Sequence, residues 1–415
     1  MTDGEAVFYR VERLAWSDEA LGDIDLPRRP MKIRAGFGSG LARRAGEPSD
    51  LIWAIGDRGP NLKIKTAVER YGLDGLEALA GMTGAKLMPR LDLGPAIAQL
   101  RVSGDRVELV RTLRITDAAG APVSGLPVPE GGHAECEPAL DLAGNVLAPD
   151  PSGLDTEGIV ALADGGFWVG DEFGPSLVRL DAAGRVVRRC VPQGVDLAGA
   201  AYPVDACLPA IAARRQLNRG FEALALSGDE KWLFLAFQSP LAHPDEQAHE
   251  QGRHVRLWRL DAATAAVAAH YLYALDPPES FLRDTAKGAF ARSDIKVSEM
   301  TWLGEDSLLV LERGSETTKI YRIALDDGHA LPAAHLAIET RPTIEELSAM
   351  AALDLPLLGK RLLFSSDDAP DVAADIEGMA VLSPSELLLV NDNDFGVEGA
   401  DTSFWRVRFD QPVFA

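Results

Sequence analysis

Four glutamates, Glu157, Glu222, Glu299 and Glu377, each open an apolar run that reads as a strand. The runs are DTEGIVALADGGFWVGDE (155–172), GFEALALSGDEKWLFLAFQ (220–238), VSEMTWLGEDSLLVLER (297–313) and DIEGMAVLSPSELLLVNDND (375–394). A carboxylate at the head of a strand can hold a hard cation, position a water, or accept hydrogen bonds from a neighbouring backbone. Each motif continues through a turn into a second apolar run that ends in polar groups. These ends carry Asp57 and Arg58, Asp171 and Glu172, Gln238, Glu312 and Arg313, and the tetrad 391–394. A hairpin places the end of its second strand beside the start of its first. Asp171 and Glu172 are therefore expected near Glu157, Asp392 near Glu377, and Arg313 near Glu299. Clusters built only of carboxylate and amide oxygens suit Ca²⁺ first, then Mg²⁺ or Mn²⁺. The expected cation donors are Glu157, Asp171, Glu172, Glu377, Asn391 and Asp392. None of the seven histidines falls in a repeat motif, which disfavours zinc.

Three arginines share these places: Arg58 in GDRGPN, Arg219 in NRGFE and Arg313 in LERGS. A guanidinium fork binds phosphate or carboxylate bidentately. The three are candidates for holding an anionic substrate; the alternative is that they compensate the ring glutamates. The four glutamates are the candidate catalytic residues. Other chemistries lack their signatures. FGSG (37–40) is not a nucleophile elbow, because Phe37 stands where glycine is needed. There is no Walker A loop, dinucleotide fingerprint or zincin motif. A hydrolase on this chain is expected to use a metal-activated water.

Short β-type segments arrive in clusters of four, with Gly, Asp or Asn at the turns. After the first two clusters' glutamate hairpins come SLVRLDAAG with RVVRRCV, and HVRLWRLDAAT with AVAAHYLYAL. The third continues with KIYRIALDDG and a weaker segment at 334–338. An earlier, degenerate copy has inner strands at 33–41 and 51–56 and outer ones at 96–102 and 107–113. The last copy ends with SFWRVRF (403–409) and lacks a fourth strand, while 6–15 is a strand without a cluster. The N-terminal strand is therefore expected to complete the C-terminal blade. The fold class that follows is all-β: one β-propeller domain with at least five four-stranded blades. Two more could lie in 114–153 and 341–374. Helical or irregular insertions are expected near 62–94, 114–153 and 341–374. They include helices at 66–81 and at 343–352, the latter opening on a Thr343/Glu346 capping box. In a propeller the glutamates, on innermost strands, ring one mouth of the central channel.

The 415 residues are 47% hydrophobic and carry a net charge of −22. That charge argues against nucleic acid, whose binding depends on phosphate neutralisation. No run is long and apolar enough to span a membrane. Three cysteines, Cys136, Cys190 and Cys207, form neither a metal finger nor a disulfide framework. The N-terminus as written has no signal peptide, which reads as cytoplasmic.

The ordered series DTEGI…WVGDEFGPSLVRLD, NRGFEALALS…QSPL, LLVLERG…KIYRIAL and DIEGM…LLLVNDNDFG resembles the phytase-like family named for the esterase-like activity of phytase. The resemblance spans 36–409. It implies a β-propeller and hydrolysis of an ester or phosphoester, and it implies export with a leader removed. The expected partner is a small ester or phosphoester, monoanionic or neutral rather than highly charged. Two other readings stand beside the hydrolase: a Ca²⁺-dependent lactonase-type propeller, and a binding propeller whose carboxylates are structural.

Overall fold

The computed structural model describes residues 7–130, 137–349 and 355–414. The chain is all-β, with few and short helices. Five antiparallel sheets follow one another along it. The first is built of Gly40–Ala42, Leu51–Ile55, Ala96–Ser103 and Arg106–Arg114. The second runs from Thr156–Ala161 through Phe167–Asp171 and Ser176–Leu180 to Val186–Pro192. It gains a fifth, parallel strand, Val204–Leu208. The third holds Phe221–Leu226, Trp232–Phe237, His254–Asp261 and Val267–Ala274. Lys296–Gly304, Ser307–Arg313, Thr318–Ala324 and Lys360–Ser365 form the fourth.

The fifth sheet takes Ile376–Ser383, Glu386–Asn391 and Phe404–Phe409 from the C-terminal end, and Tyr9–Leu14 from the N-terminal end. The two ends pair antiparallel from Tyr9↔Phe409 to Leu14↔Phe404. The first strands of the five sheets pack in a cycle. Gly40–Ala42 lies on Thr156–Ala161, that strand on Phe221–Leu226, then Lys296–Gly304, then Ile376–Ser383, which returns to Gly40–Ala42. Large side chains fill the wedges between sheets. Trp53 of the first meets Phe167 of the second edge-on at 4.9 Å. Each such ring, buried outright, contributes on the order of 2–3 kcal/mol.

Several expectations are corrected. The inner strand of the first sheet is only Gly40–Ala42; Met31–Arg34 pairs instead with Ala20–Ile24 in a separate ribbon. The fourth strand of the fourth sheet is Lys360–Ser365, not 334–338. That segment begins after Pro332 and makes a 3₁₀ turn, Ala333–Leu336. Among the described residues, 114–153 and 341–374 hold no further four-stranded sheet.

Helices lie within two of the expected insertions, and two more, Glu246–Gln251 and Leu282–Lys287, lie outside them. Ile64–Tyr71 ends at Gly72, whose φ of 74° gives a left-handed cap. Asp74–Leu79 continues as 3₁₀. In Ile344–Ala349 the capping box forms: Glu346 N donates to Thr343 Oγ1 at 3.1 Å, and Thr343 N to Glu346 Oε2 at 2.7 Å. A small sheet of Leu62–Lys63, Lys86–Leu87 and Ala139–Leu140 ties the first insertion to the segment that carries Glu137. No helix among the described residues is long and apolar enough to cross a membrane.

Candidate functional site

Three of the four glutamates are aimed by β-bulges. The register slips between Thr156 and Ile159, between Phe221 and Ala223, and between Ile376 and Gly378. Glu157, Glu222 and Glu377 sit at these slips. A bulge leaves a residue outside the ladder and re-aims its side chain. Oxygens of Glu157, Glu222 and Glu377 all come within 4.8 Å of one another. So do oxygens of Asp155, Glu157 and Glu172.

Glu299 departs from this pattern. In the fourth sheet the slip falls one residue earlier, between Val297 and Glu299. Ser298 takes the bulge, and Glu299 pairs in register with Leu311. Its fully buried carboxylate accepts from Leu41 N at 2.9 Å and from Met300 N at 3.0 Å. Glu299 therefore links the fourth sheet to the first and stands apart from the other three. Arg313, expected beside it, reaches Glu377 and lies 4.0 Å from Glu222.

Two further expected donors are engaged elsewhere. Asp171 Oδ1 accepts from Asp155 N at 2.8 Å, and its Oδ2 from Ser176 Oγ at 2.7 Å and Arg189 Nη2 at 2.5 Å. Asn391 Oδ1 accepts from Ser403 N at 2.6 Å, while its Nδ2 donates to the carbonyls of Asp392 and Asp401. Both groups are strand-end braces, with no atom free for the cluster. Asp392 does line the same cleft, with Oδ1 accepting from Asn393 N at 2.9 Å. Asp155, one residue before the strand, was not singled out in the sequence. Its signal was its spacing: DTEG and DIEG both place an aspartate two residues before the glutamate, on the same face of an extended chain.

Among the described residues, no hydrogen bond or ion pair engages Glu157. Asp155 Oδ2 and Glu222 Oε1 are buried and accept no hydrogen bond. Asp155 Oδ2 pairs with Arg58 by charge alone. Burial pushes Asp155, Glu157 and Glu172 up, and repulsion from neighbouring carboxylates adds to it. Asp155 and Glu172 rise to about 7 and Glu157 goes well above its ordinary value. Glu377 rises to about 8, burial outweighing Arg313. Asp57 rises to about 7, by burial and by Asp155.

The three arginines divide. Arg58 pairs with Glu137 at 2.5 Å and with Asp155, and its Nη2 donates to Asn218 Oδ1 at 2.8 Å. Its guanidinium lies 4.6 Å over the Phe173 ring. Arg313, 1% exposed, binds Asp375 at 3.0 Å, Glu377, and Ser298 Oγ at 2.8 Å. These two are spent on compensating carboxylates. Among the described residues Arg219 forms no ion pair, and its buried Nη1 has no hydrogen-bond partner. Lys296 also lines the cleft, and burial together with Arg313 and Arg219 lowers its pKa. It opens the innermost strand of the fourth sheet, two residues before the Ser298 bulge, as Asp155 and Asp375 stand two residues before the bulged Glu157 and Glu377.

The cleft has a volume of about 320 Å³. Its wall is overwhelmingly polar: carboxylates, Lys296 and Arg313, together with Asn61, Lys63 and Lys86.

A family model described as phytase-like, esterase-like activity of phytase, matches residues 33–395. The chain belongs to this phytase-like family. An uncharacterized secreted protein of Arthroderma benhamiae is 27% identical to this phytase-like chain over 343 residues, 70% of this chain and 62% of the relative. The chain thus spans under two thirds of that relative's length. Among solved structures it is similar to a PQQ-bound aldose sugar dehydrogenase from Streptomyces coelicolor. There the TM-score is 0.36 and the identity 11%, covering 98% of this chain and 100% of the other. A gluconolactonase from Xanthomonas campestris gives a TM-score of 0.31 at 10% identity, covering 76% and 82%. Both scores are too low to carry a fold or an activity across.

Proposed function

We propose that this chain is a metal-dependent hydrolase of an ester or phosphoester, working at one mouth of a closed, five-bladed, single-domain β-propeller. The closed ring is supported by the cycle of first strands and by the Tyr9–Leu14 strand completing the fifth sheet. The observation that carries the activity is the convergence of Asp155, Glu157, Glu172, Glu222 and Glu377, with two buried oxygens that accept no hydrogen bond. Asp155 is engaged by Arg58 and Glu222 by Gln238, but the Glu157 side chain has no hydrogen-bond or ion-pair partner among the described residues, and a desolvated carboxylate without one is costly unless a cation completes it. The donor set is all oxygen, so Ca²⁺ fits best and Mg²⁺ or Mn²⁺ next. Such a cation supplies Lewis acidity and lowers the pKa of a bound water.

The chain's own groups have separable tasks in this reading. Glu157, Glu222, Glu377, Asp155 and Glu172 hold the cation. Arg58 and Arg313 fix those carboxylates in place. Lys296, which lines the cleft and forms no ion pair among the described residues, faces the anionic group of the substrate. A small, singly charged ester suits a mouth with so many carboxylates better than a polyanion does. The secreted relative supports export of this chain as well.

The test is elemental analysis of protein purified without chelator, followed by a panel of chromogenic esters and phosphoesters. Stoichiometric Ca²⁺ or Mn²⁺, lost in Glu157→Gln together with turnover, supports the hydrolase. Protein that binds no divalent cation under any condition refutes it.

A further inference from the structure

Asp155, Glu157 and Glu172 form one triad and Glu157, Glu222 and Glu377 another; the five do not form one set within the same 4.8 Å reach. Glu157 alone belongs to both. Oxygens sharing one Ca²⁺ each lie about 2.3–2.6 Å from it, so no two can be much more than about 5 Å apart. Each triad meets that limit, and the full set of five does not.

Each triad also has the same accessory parts. The first contains Asp155, 0% exposed, whose Oδ2 meets Arg58 by charge and accepts no hydrogen bond; the second contains Glu222, 1% exposed, whose Oε2 accepts from Gln238 Nε2 and whose Oε1 accepts no hydrogen bond. Each has one arginine paired with its carboxylates, Arg58 with Asp155 and Glu172 in the first and Arg313 with Glu222 and Glu377 in the second. Glu157 between them has two carboxylate oxygens and, among the described residues, no protein partner to occupy either.

We infer that the mouth seats two divalent cations, one in each triad, with the Glu157 carboxylate bridging them. This rests on the hydrolase reading for the presence of a cation at all, and goes beyond it in number and arrangement. A bridging carboxylate suits cations about 3.5–4 Å apart, the spacing of paired-metal hydrolytic sites. The ester or phosphoester oxygen then meets two positive centres rather than one.

Equilibrium dialysis with Ca²⁺ on the full chain reads the stoichiometry. Two cations per chain are expected. Asp155→Asn should weaken one site at least tenfold and leave the other within about threefold. Glu377→Gln should weaken the other site instead, and Glu157→Gln should weaken both. Mn²⁺ loaded into the unaltered chain should show an exchange-coupled paramagnetic resonance spectrum, a readout that needs no variant to fold. One cation per chain, or an uncoupled Mn²⁺ spectrum, overturns the bridged pair while leaving the hydrolase reading intact. So does a Glu157→Gln chain, folded by circular dichroism, that loses only one site. No cation at all overturns both.

Discussion

Raising the pH on the metal-free protein should destabilise it, and Ca²⁺ should reverse the loss. Folding holds Asp57, Asp155 and Glu172 up to about 7 and Glu377 up to about 8, with burial the first cause in each. The unfolded chain releases those protons near pH 4. These folded values lie above the unfolded ones, so the stability tied to the retained protons is full below about pH 4. It is lost as the pH rises through 7 to 8. Each proton kept by the fold and not by the unfolded chain costs about 1.4 kcal/mol per pH unit. From pH 5.5 to 7, one such group lowers stability by about 2 kcal/mol. The groups repel one another, so their losses will not simply add. A cation replaces the same protons, so its affinity should climb about tenfold per pH unit for each proton displaced. Urea unfolding with chelator and with Ca²⁺, at half-unit steps from pH 5.5 to 8.5, reads the first effect. Titration calorimetry in two buffers of different ionisation enthalpy counts the protons released. Metal-free stability that stays flat or rises over this range, or a Ca²⁺ affinity that ignores pH, would contradict the assignment of these carboxyls to a cation site.

Asp171→Asn should cost about 3–5 kcal/mol in urea unfolding by stranding buried Arg189, yet leave Ca²⁺ affinity within about twofold. A large loss of affinity would return Asp171 to the donor set. Arg313→Met removes the partner of Asp375 and Glu377 and should cost a similar amount without metal. Saturating Ca²⁺ should recover part of that loss, and equal losses with and without the cation would count against a cation beside Glu377. Glu299→Gln turns an amide toward backbone N–H donors and should cost about 1–3 kcal/mol. Its Ca²⁺ stoichiometry should match the unaltered chain; a missing cation would place Glu299 back in the cluster.

Much of the architecture was legible because hairpins and blade repeats are local. Alternating apolar runs with turn residues between them gave the five glutamate- or glycine-opened sheets. A lone strand at the N-terminal end and a sheet one strand short at the C-terminal end gave the pairing of Tyr9–Leu14 with Phe404–Phe409. The Thr343/Glu346 capping box follows from a three-residue spacing and appears as read. The fourth strand of the fourth sheet was misplaced because Lys360–Ser365 lies across a long insertion, beyond the reach of any turn signal.

What the chain determined by itself is the supply of carboxylates at strand heads, and a hairpin register that brings strand ends beside them. Tertiary structure decided which of those carboxylates meet. A strand's side chains alternate faces, so a bulge displaced by a single residue moves a side chain from one environment to another. That displacement turns Glu299 onto Leu41 N while Glu157, Glu222 and Glu377 converge. Long-range pairing decided the rest. Arg189 claims Asp171 and Ser403 claims Asn391, while Asp155 joins the converging glutamates and Lys296 lines their cleft.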